Sequence, residues 1–233
     1  MNYRHELKYL LDMSEYHVLR SRMAAILKPD YHGGRDNRYH IRSVYFDDMK
    51  NTDFITKLSG LAERKKYRIR MYDSDESLIR LEKKIKMNDV SCKQSAELTK
   101  HEADSFLESD TDIFSENDDP LVREFALTNH KNLLKANVIT DYDREAYVFN
   151  PGNVRVTFDI NLKTALLNTD FFSRNLPMIP ALGSNRMILE VKYDAFLPSV
   201  ISDLLSPGSG IQMSVSKFAL CKQFISLNDW EVQ

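Results

Sequence analysis

The chain has 233 residues, 42% hydrophobic and 28% charged, with a formal net charge of −2 at pH 7. Such a composition excludes a disordered or low-complexity chain, and near-neutrality excludes a global field that would recruit nucleic acid or membrane. Two cysteines without metal-ligand spacing, an N-terminus without a signal peptide's apolar stretch, and no long apolar window imply a soluble cytoplasmic protein of one domain, 1–233.

Residues 3–11 alternate as a strand, with Arg4, Glu6 and Lys8 on one face and His5, Leu7, Tyr9 and Leu11 on the other. Ser14 is expected to cap a helix to about Leu27, with Val18, Leu19, Met23, Ile26 and Leu27 as its apolar stripe. Pro29 stops that helix, and Gly33-Gly34 marks a loop. Residues 38–47 form a second strand, in which Arg38, His40, Arg42, Val44 and Phe46 oppose Tyr39, Ile41, Ser43, Tyr45 and Asp47. Neither face is purely charged or purely apolar. A short helix or irregular turn covers Asn51 to Leu61.

The stretch 63–86 reads as a hairpin around the polar turn 73–77. Its first strand puts Arg64, Lys66, Arg68 and Arg70 on one face, with Tyr67, Ile69 and Met71 behind them. Its second strand groups Arg80, Glu82, Lys84 and Lys86 in the same way. Paired antiparallel, these strands set cation against cation, which is repulsive unless an anion lies between them.

Thr99 and Glu102 form a capping box for a helix over 100–108, and the acidic run 109–119, including Asp112 and Glu116, reads as a loop. Asp119-Pro120 opens a helix to about Leu134. Two long strands follow, 136–149 and 154–162. In the second, Arg155, Thr157, Asp159 and Asn161 oppose Val154, Val156, Phe158 and Ile160. Residues 173–185 form a loop, 187–193 a strand carrying Glu190 and Lys192 on one face, and 198–205 and 215–227 two closing helices.

A charged strand face needs no ligand by itself, because antiparallel sheets commonly present one wet face. Here the pattern recurs on five strands far apart in the chain. Closing them with the charges inside would leave the apolar faces outward for helices to cover. The result would be an α+β fold built on a barrel with flanking helices. An ionic lumen is costly unless its charges pair and something binds there. Excess Arg and Lys suit phosphate oxygens, and interspersed Glu suits Mg²⁺ or Mn²⁺.

The ordered motifs Arg4-x-Glu6-x-Lys8, SVYFD (43–47), RIR (68–70), LEKK (81–84), DYDREAY around Arg144, LEVKYD (189–194) and SVSKFA (214–219) resemble the VTC domain. That is the polyphosphate-polymerase domain of the CYTH/triphosphate-tunnel superfamily. The resemblance implies an α+β fold with a closed or nearly closed eight-stranded antiparallel β-barrel, a tunnel binding ATP or another triphosphate, and inorganic polyphosphate, with Mn²⁺ or Mg²⁺ as cofactor. It implies catalytic roles for Lys8, Arg68, Arg70, Lys84, Arg144 and Lys217. Arg42, Arg64, Lys86, Lys93 and Lys192 are expected to bind substrate, and Glu190, Glu6 and Glu82 to hold metal. Arg4 stands where the superfamily's strand signature often has a first glutamate, which favours the polymerase-like branch. Ser214 stands where the family commonly has a second lysine, which weakens the grip on one end of the polymer.

The sequence shows neither the phosphate-sensing SPX domain nor the membrane anchor of the eukaryotic complex, so translocation would require a membrane partner protein. The expected activity is transfer of the terminal phosphate of ATP to a growing polyphosphate. The alternatives are an inorganic triphosphatase, a non-catalytic polyphosphate-binding module and, more distantly, an RNA 5′-triphosphatase-like module. Without a basic exterior, no nucleic-acid partner is expected.

Overall fold

The computed structural model describes residues 3–34, 36–110, 114, 117–165, 170–183, 185–205 and 211–228. Asp112 and Glu116 of the acidic run lie outside the described residues. In chain order the strands are β1 (Arg4–Asp12), β2 (Lys28–Pro29), β3 (Arg38–Asp47), β4 (Glu63–Tyr72), β5 (Asp75–Met87) and β6 (Val90–Leu98). They continue as β7 (Lys135–Phe149), β8 (Val154–Thr164), β9 (Ile179–Pro180), β10 (Arg186–Tyr193) and β11 (Ile211–Gln212). The helices are α1 (Met13–Ala24), α2 (Thr52–Leu58), α3 (Lys100–Glu108), α4 (Pro120–Asn132), α5 (Ser199–Leu204) and α6 (Lys217–Asn228).

Eight strands close into an antiparallel ring in the order β7-β3-β4-β5-β6-β1-β10-β8, with β8 pairing back onto β7. The ring is uneven. Only Arg4↔Ser91 and His5↔Val90 join β1 to β6, whereas β1 and β10 pair from His5↔Tyr193 to Asp12↔Arg186. As expected for a tunnel, the apolar strand faces point outward. Ile69, Met71, Ile79 and Leu81 pack with Phe106 of α3 and Phe125 of α4. On the other side Leu11, Val156, Phe158, Leu189 and Val191 pack with Leu19 and Met23 of α1 and Ile201 of α5. Burying each such side chain contributes about 1.5–3 kcal/mol, so the outer apolar layers hold the ring in shape.

A third apolar cluster sits on the inner faces of β3 and β7, where Ile41, Tyr45, Val138 and Tyr142 meet Val215, Phe218 and Cys221. The Phe218 ring lies 5.3 Å from Tyr45 and 6.2 Å from Phe54 of α2. Thus α6 and α2 cover one end of the ring, and the N-terminal turn of α6 points its Lys217 at the interior.

Several local expectations are corrected. Asp12, not Ser14, caps α1: its Oδ1 accepts from the Glu15 amide at 2.8 Å, and the Glu15 side chain accepts from the Asp12 amide at 2.7 Å. That capping box starts the helix two residues early. The buried stripe of α1 is therefore Tyr16, Leu19 and Met23, while Val18 and Ile26 are exposed. Strand β6 escapes recognition because SCKQSAEL mixes small polar and charged residues, so its apolar alternation is faint. The loop over 173–185 contains the two-residue strand β9. The capping box at Thr99 and the Asp119 cap before Pro120 occur as read.

Candidate active site

The period of two lays the inward side chains in rows around the ring. Across β4, β5 and β6 the register sets Lys66 opposite Lys84 and Lys84 opposite Lys93. The next row sets Arg68 opposite Glu82, and the one after it Arg70 opposite Arg80. From the far wall come Glu6 and Lys8 of β1, Glu190 and Lys192 of β10, Arg155 and Asp159 of β8, and Arg144 of β7. They enclose a cavity of 660 Å³ in whose lining lysines and arginines outnumber carboxylates twelve to three.

Beneath that lining, buried carboxylates divide the cations into groups. Glu82, fully buried, accepts from Arg68 at 2.6 Å and Lys93 at 2.7 Å, with Arg70 at 3.7 Å. Asp159, also fully buried, takes Arg144 at 2.6 Å and Lys217. Glu6 takes Lys84 at 2.7 Å and Lys8 at 3.1 Å, and Glu190 takes Lys192 at 2.6 Å and Lys8 at 3.5 Å. The ring oxygens join in: Arg68 donates to Tyr45 Oη at 2.7 Å and Arg155 to Tyr39 Oη at 2.9 Å. Tyr39 and Tyr45 thus belong to the third apolar cluster and also line the cavity, while Phe46 and Tyr67 belong to the outer core.

The electrostatics follow from this crowding. Burial and the Glu190 charge raise Glu6, but Lys8, Lys84 and Lys192 overcome them and leave it at about 2. Burial likewise raises Glu190, and Lys192, Lys8, Lys217 and Lys84 hold it well below the usual carboxylate range. Asp159 falls to about 2 because Arg144 and Lys217 outweigh its burial. Lys84 moves the other way. Burial lowers it, Glu6 only partly compensates, and Lys8 and Lys192 push it further, to about 7. Lys66, whose Nζ is buried without a hydrogen-bond partner 3.9 Å from the Phe218 ring centroid, falls to about 8, chiefly from burial.

The structure brings Lys8, Arg68, Arg70, Lys84, Lys93, Arg144, Glu190, Lys192 and Lys217 together on one cavity, with Glu6 and Glu82 directly behind them. It does not bring Arg42 there. Val44 and Phe46 share Arg42's strand face and sit in the outer core, so that face turns away from the tunnel. Arg42 instead donates to Asp141 at 2.9 Å and to the carbonyls of Phe171 at 3.1 Å and Ser173 at 2.6 Å. Arg64 and Lys86 lie one row outside the cavity lining. Lys66 and Arg80 also line the cavity and share their strands' ionic faces with the expected site residues, whereas Arg155 and Asp159 come from β8, whose ionic face was read from the sequence without a site role.

Among the described residues no group of three or more His, Cys, Asp or Glu could hold a metal ion. Glu6 and Glu190 do flank Lys8 from two neighbouring strands, and two carboxylates plus substrate phosphates and water are the usual surroundings of Mg²⁺. Those two residues fit a metal that arrives with the substrate. Glu82 does not, because Arg68, Arg70 and Lys93 surround it.

No curated protein sequence matches the chain. Among solved structures, HpAC1 from Hippeastrum, a proposed adenylyl cyclase described as having a dominant triphosphatase activity, superimposes with a TM-score of 0.54. It shares 12% identity, over 96% of each chain. A proposed adenylate cyclase from Bacillus halodurans aligns with a TM-score of 0.49 and 15% identity over 93% of this chain and 96% of its own. At such identities the likeness to HpAC1 concerns the fold alone. The sequence model of the VTC domain matches residues 3–225, nearly the full length, and the chain belongs to the VTC domain family.

Proposed function

We propose that the chain is a phosphotransferase acting on phosphoanhydrides in its tunnel, moving the terminal phosphate of ATP onto a growing polyphosphate. The observation that carries this reading is the cavity's surplus of cations over carboxylates, held by a rigid ring and facing one another across it. Apo, that surplus is repulsive; a linear polyanion would relieve it along the tunnel. Arg68, Arg70 and Arg144 offer planar forks to non-bridging oxygens, and Lys8, Lys84, Lys93 and Lys217 act as point charges.

In the transfer, the bond between the terminal phosphorus of ATP and its bridging oxygen breaks, ADP leaves with that oxygen, and an oxygen of the acceptor's end phosphate bonds to the phosphorus. Charge spread over the transferred group is stabilised by preorganised cations, which need no reorganisation at the moment of reaction. Glu190 with Glu6 would hold the Mn²⁺ or Mg²⁺, which when bound neutralises phosphate charge and orients it.

One observation favours an acceptor phosphate over water. Glu6 at about 2, and Glu190 held well below the usual carboxylate range by Lys192 and Lys8, are poor bases for activating water. An anionic phosphate acceptor needs no such base. The hydrolytic and binding-only readings are separated by one experiment: purified chain is incubated with ATP and Mn²⁺, or with tripolyphosphate, and products are resolved by length. A ladder of polymer supports the transferase; free phosphate from tripolyphosphate supports a triphosphatase; tight binding with neither supports a binding module.

A further inference from the structure

The cavity lining changes character along β4. Its inward positions run Lys66, Arg68, Arg70 and then Tyr72, one same-face step of about 7 Å beyond Arg70. Strand β5 answers with Leu78, one step before Arg80. Past the Arg70–Arg80 row the wall is therefore aromatic and apolar instead of cationic. The two kinds of wall adjoin, since the Arg70 guanidinium carbon lies over the Tyr72 ring, 6.0 Å from its centroid.

The segment after β2 closes the same mouth. Asp30 accepts from Arg155 Nε at 2.9 Å, and that guanidinium also donates to Tyr39 Oη at 2.9 Å. The Tyr39 ring in turn lies 6.2 Å from Tyr72. The Asp30 carboxylate accepts from the His32 amide at 3.1 Å, and the Asp30 amide donates to the Ala146 carbonyl at 2.9 Å. These bonds pin the backbone on both sides of Tyr31, whose ring centroid lies 3.8 Å from that of His32. Tyr31 lines the cavity and yet is 88% exposed, so its ring adds little to the core. Two of the three carboxylates in the lining, Asp30 and Asp73, also belong to this mouth. Asp30 is neutralised by Arg155, whereas Asp73 is exposed and commits one oxygen to the His40 amide at 2.7 Å.

We propose that this mouth is a nucleobase subsite, in which the base of the donor nucleotide stacks on Tyr31 and Tyr72 while its triphosphate runs inward past Arg70 and Arg80. The inference rests on the tunnel reading and deepens it by placing the part of the donor that is not phosphate. Every base has a π-face, so stacking favours a nucleoside triphosphate over a bare one without choosing among bases. Asp73 repels phosphate and offers an acceptor to sugar hydroxyls, so the donor enters with its nucleoside outermost. No covalent step occurs at the subsite.

The test measures the affinity of the full chain for ATP and for tripolyphosphate by calorimetry in metal-free buffer, in wild type, Tyr31→Ala, Tyr31→Phe and Tyr72→Ala. Each alanine variant weakens ATP binding by about tenfold, near the low end of what one base–aromatic stack is worth. Tripolyphosphate affinity stays unchanged in both, and Tyr31→Phe keeps the affinity for ATP because stacking needs the ring and not the hydroxyl. Tyr31 is the decisive position, since replacing so exposed a ring leaves the fold intact. Unchanged ATP affinity in Tyr31→Ala, or an equal loss for the two ligands, overturns the base subsite and leaves the tunnel reading standing. Wild-type binding of tripolyphosphate but not of ATP does the same. Binding of neither ligand by wild type overturns both readings.

Discussion

Lys84 of β5 and Glu6 of β1 meet across the thin seam of the ring, with Lys84 Nζ 2.7 Å from one Glu6 oxygen and 3.1 Å from the other. The strand between them, β6, has only two residue pairs to β1, and its Ser91 hydroxyl lies 3.4 Å from Glu6. Glu6 thus ties together three strands where backbone bonding is sparsest. It does so while lowering the positive charge of the tunnel.

Those two effects oppose each other in Glu6→Gln. The variant leaves Lys84 and Lys8 poorly compensated and should lose about 1–3 kcal/mol of stability, several degrees in Tm. In metal-free buffer it should bind tripolyphosphate more tightly than wild type, because one repelling carboxylate is gone. Thermal unfolding with and without tripolyphosphate checks both signs. An unchanged apo Tm would show that the seam does not depend on this pair.

Arg70 presents the reverse case. It is buried, donating to Ser43 Oγ at 2.9 Å and Tyr142 Oη at 3.2 Å, while Glu82 keeps Arg68 and Lys93 as closer partners. Arg70→Ala should therefore cut triphosphate affinity about tenfold to a hundredfold, the worth of a forked charge-assisted contact. Apo stability should fall by about 1–3 kcal/mol, because the Ser43 and Tyr142 hydroxyls lose a buried donor and Glu82 loses one of its three cations. Calorimetry that finds unchanged affinity would take Arg70 out of the binding site.

How much of this was legible in the sequence depends on how cleanly each strand alternates. Strands β4, β5, β8 and β10 separate ionic from apolar residues, so Arg68, Arg70, Lys84, Asp159, Glu190 and Lys192 could be placed on common faces before any fold was known. Strand β3 could not be oriented that way, since both of its faces are mixed. Arg42 looked like a tunnel base although Val44 and Phe46 beside it mark the outer surface. Pairing across the ring was beyond reach, because which carboxylate neutralises which cation depends on strand order and shear. Nothing in the local sequence places Lys57 of α2 beside Ser214, 157 residues away.

Lys84 supplies a prediction in pH. Its pKa falls from 10.5 to about 7 through burial among other cations, so between those values the unfolded chain holds more protons than the folded one. From this group alone, apo stability should rise as pH climbs from about 7 to about 10.5. A polyanion in the tunnel reverses the cause of the shift and restores the proton. Tripolyphosphate binding at pH 8 should thus take up protons, measured as heats that vary with the buffer's ionisation enthalpy. Uptake should fade below pH 6 and vanish in Lys84→Arg; equal heats in all buffers at pH 8 would contradict a depressed Lys84.

Glu190 tests the metal. Its two oxygens face Lys192 at 2.6 Å and Lys8 at 3.5 Å, so in the apo chain it is a buried anion shared by two lysines. Glu190→Gln keeps the shape and removes the charge. Without divalent metal, tripolyphosphate should bind as well or better, since repulsion falls. With Mn²⁺, turnover of ATP should drop by roughly 10²–10³, the usual cost of losing one preorganised charge-stabilising group. Affinity for Mn²⁺ in the presence of tripolyphosphate, followed by the metal's paramagnetic effect on water relaxation, should fall in parallel. Were that affinity and the turnover both to survive, the metal would have to be held elsewhere, and Glu190 would be only a counter-ion for Lys192 and Lys8.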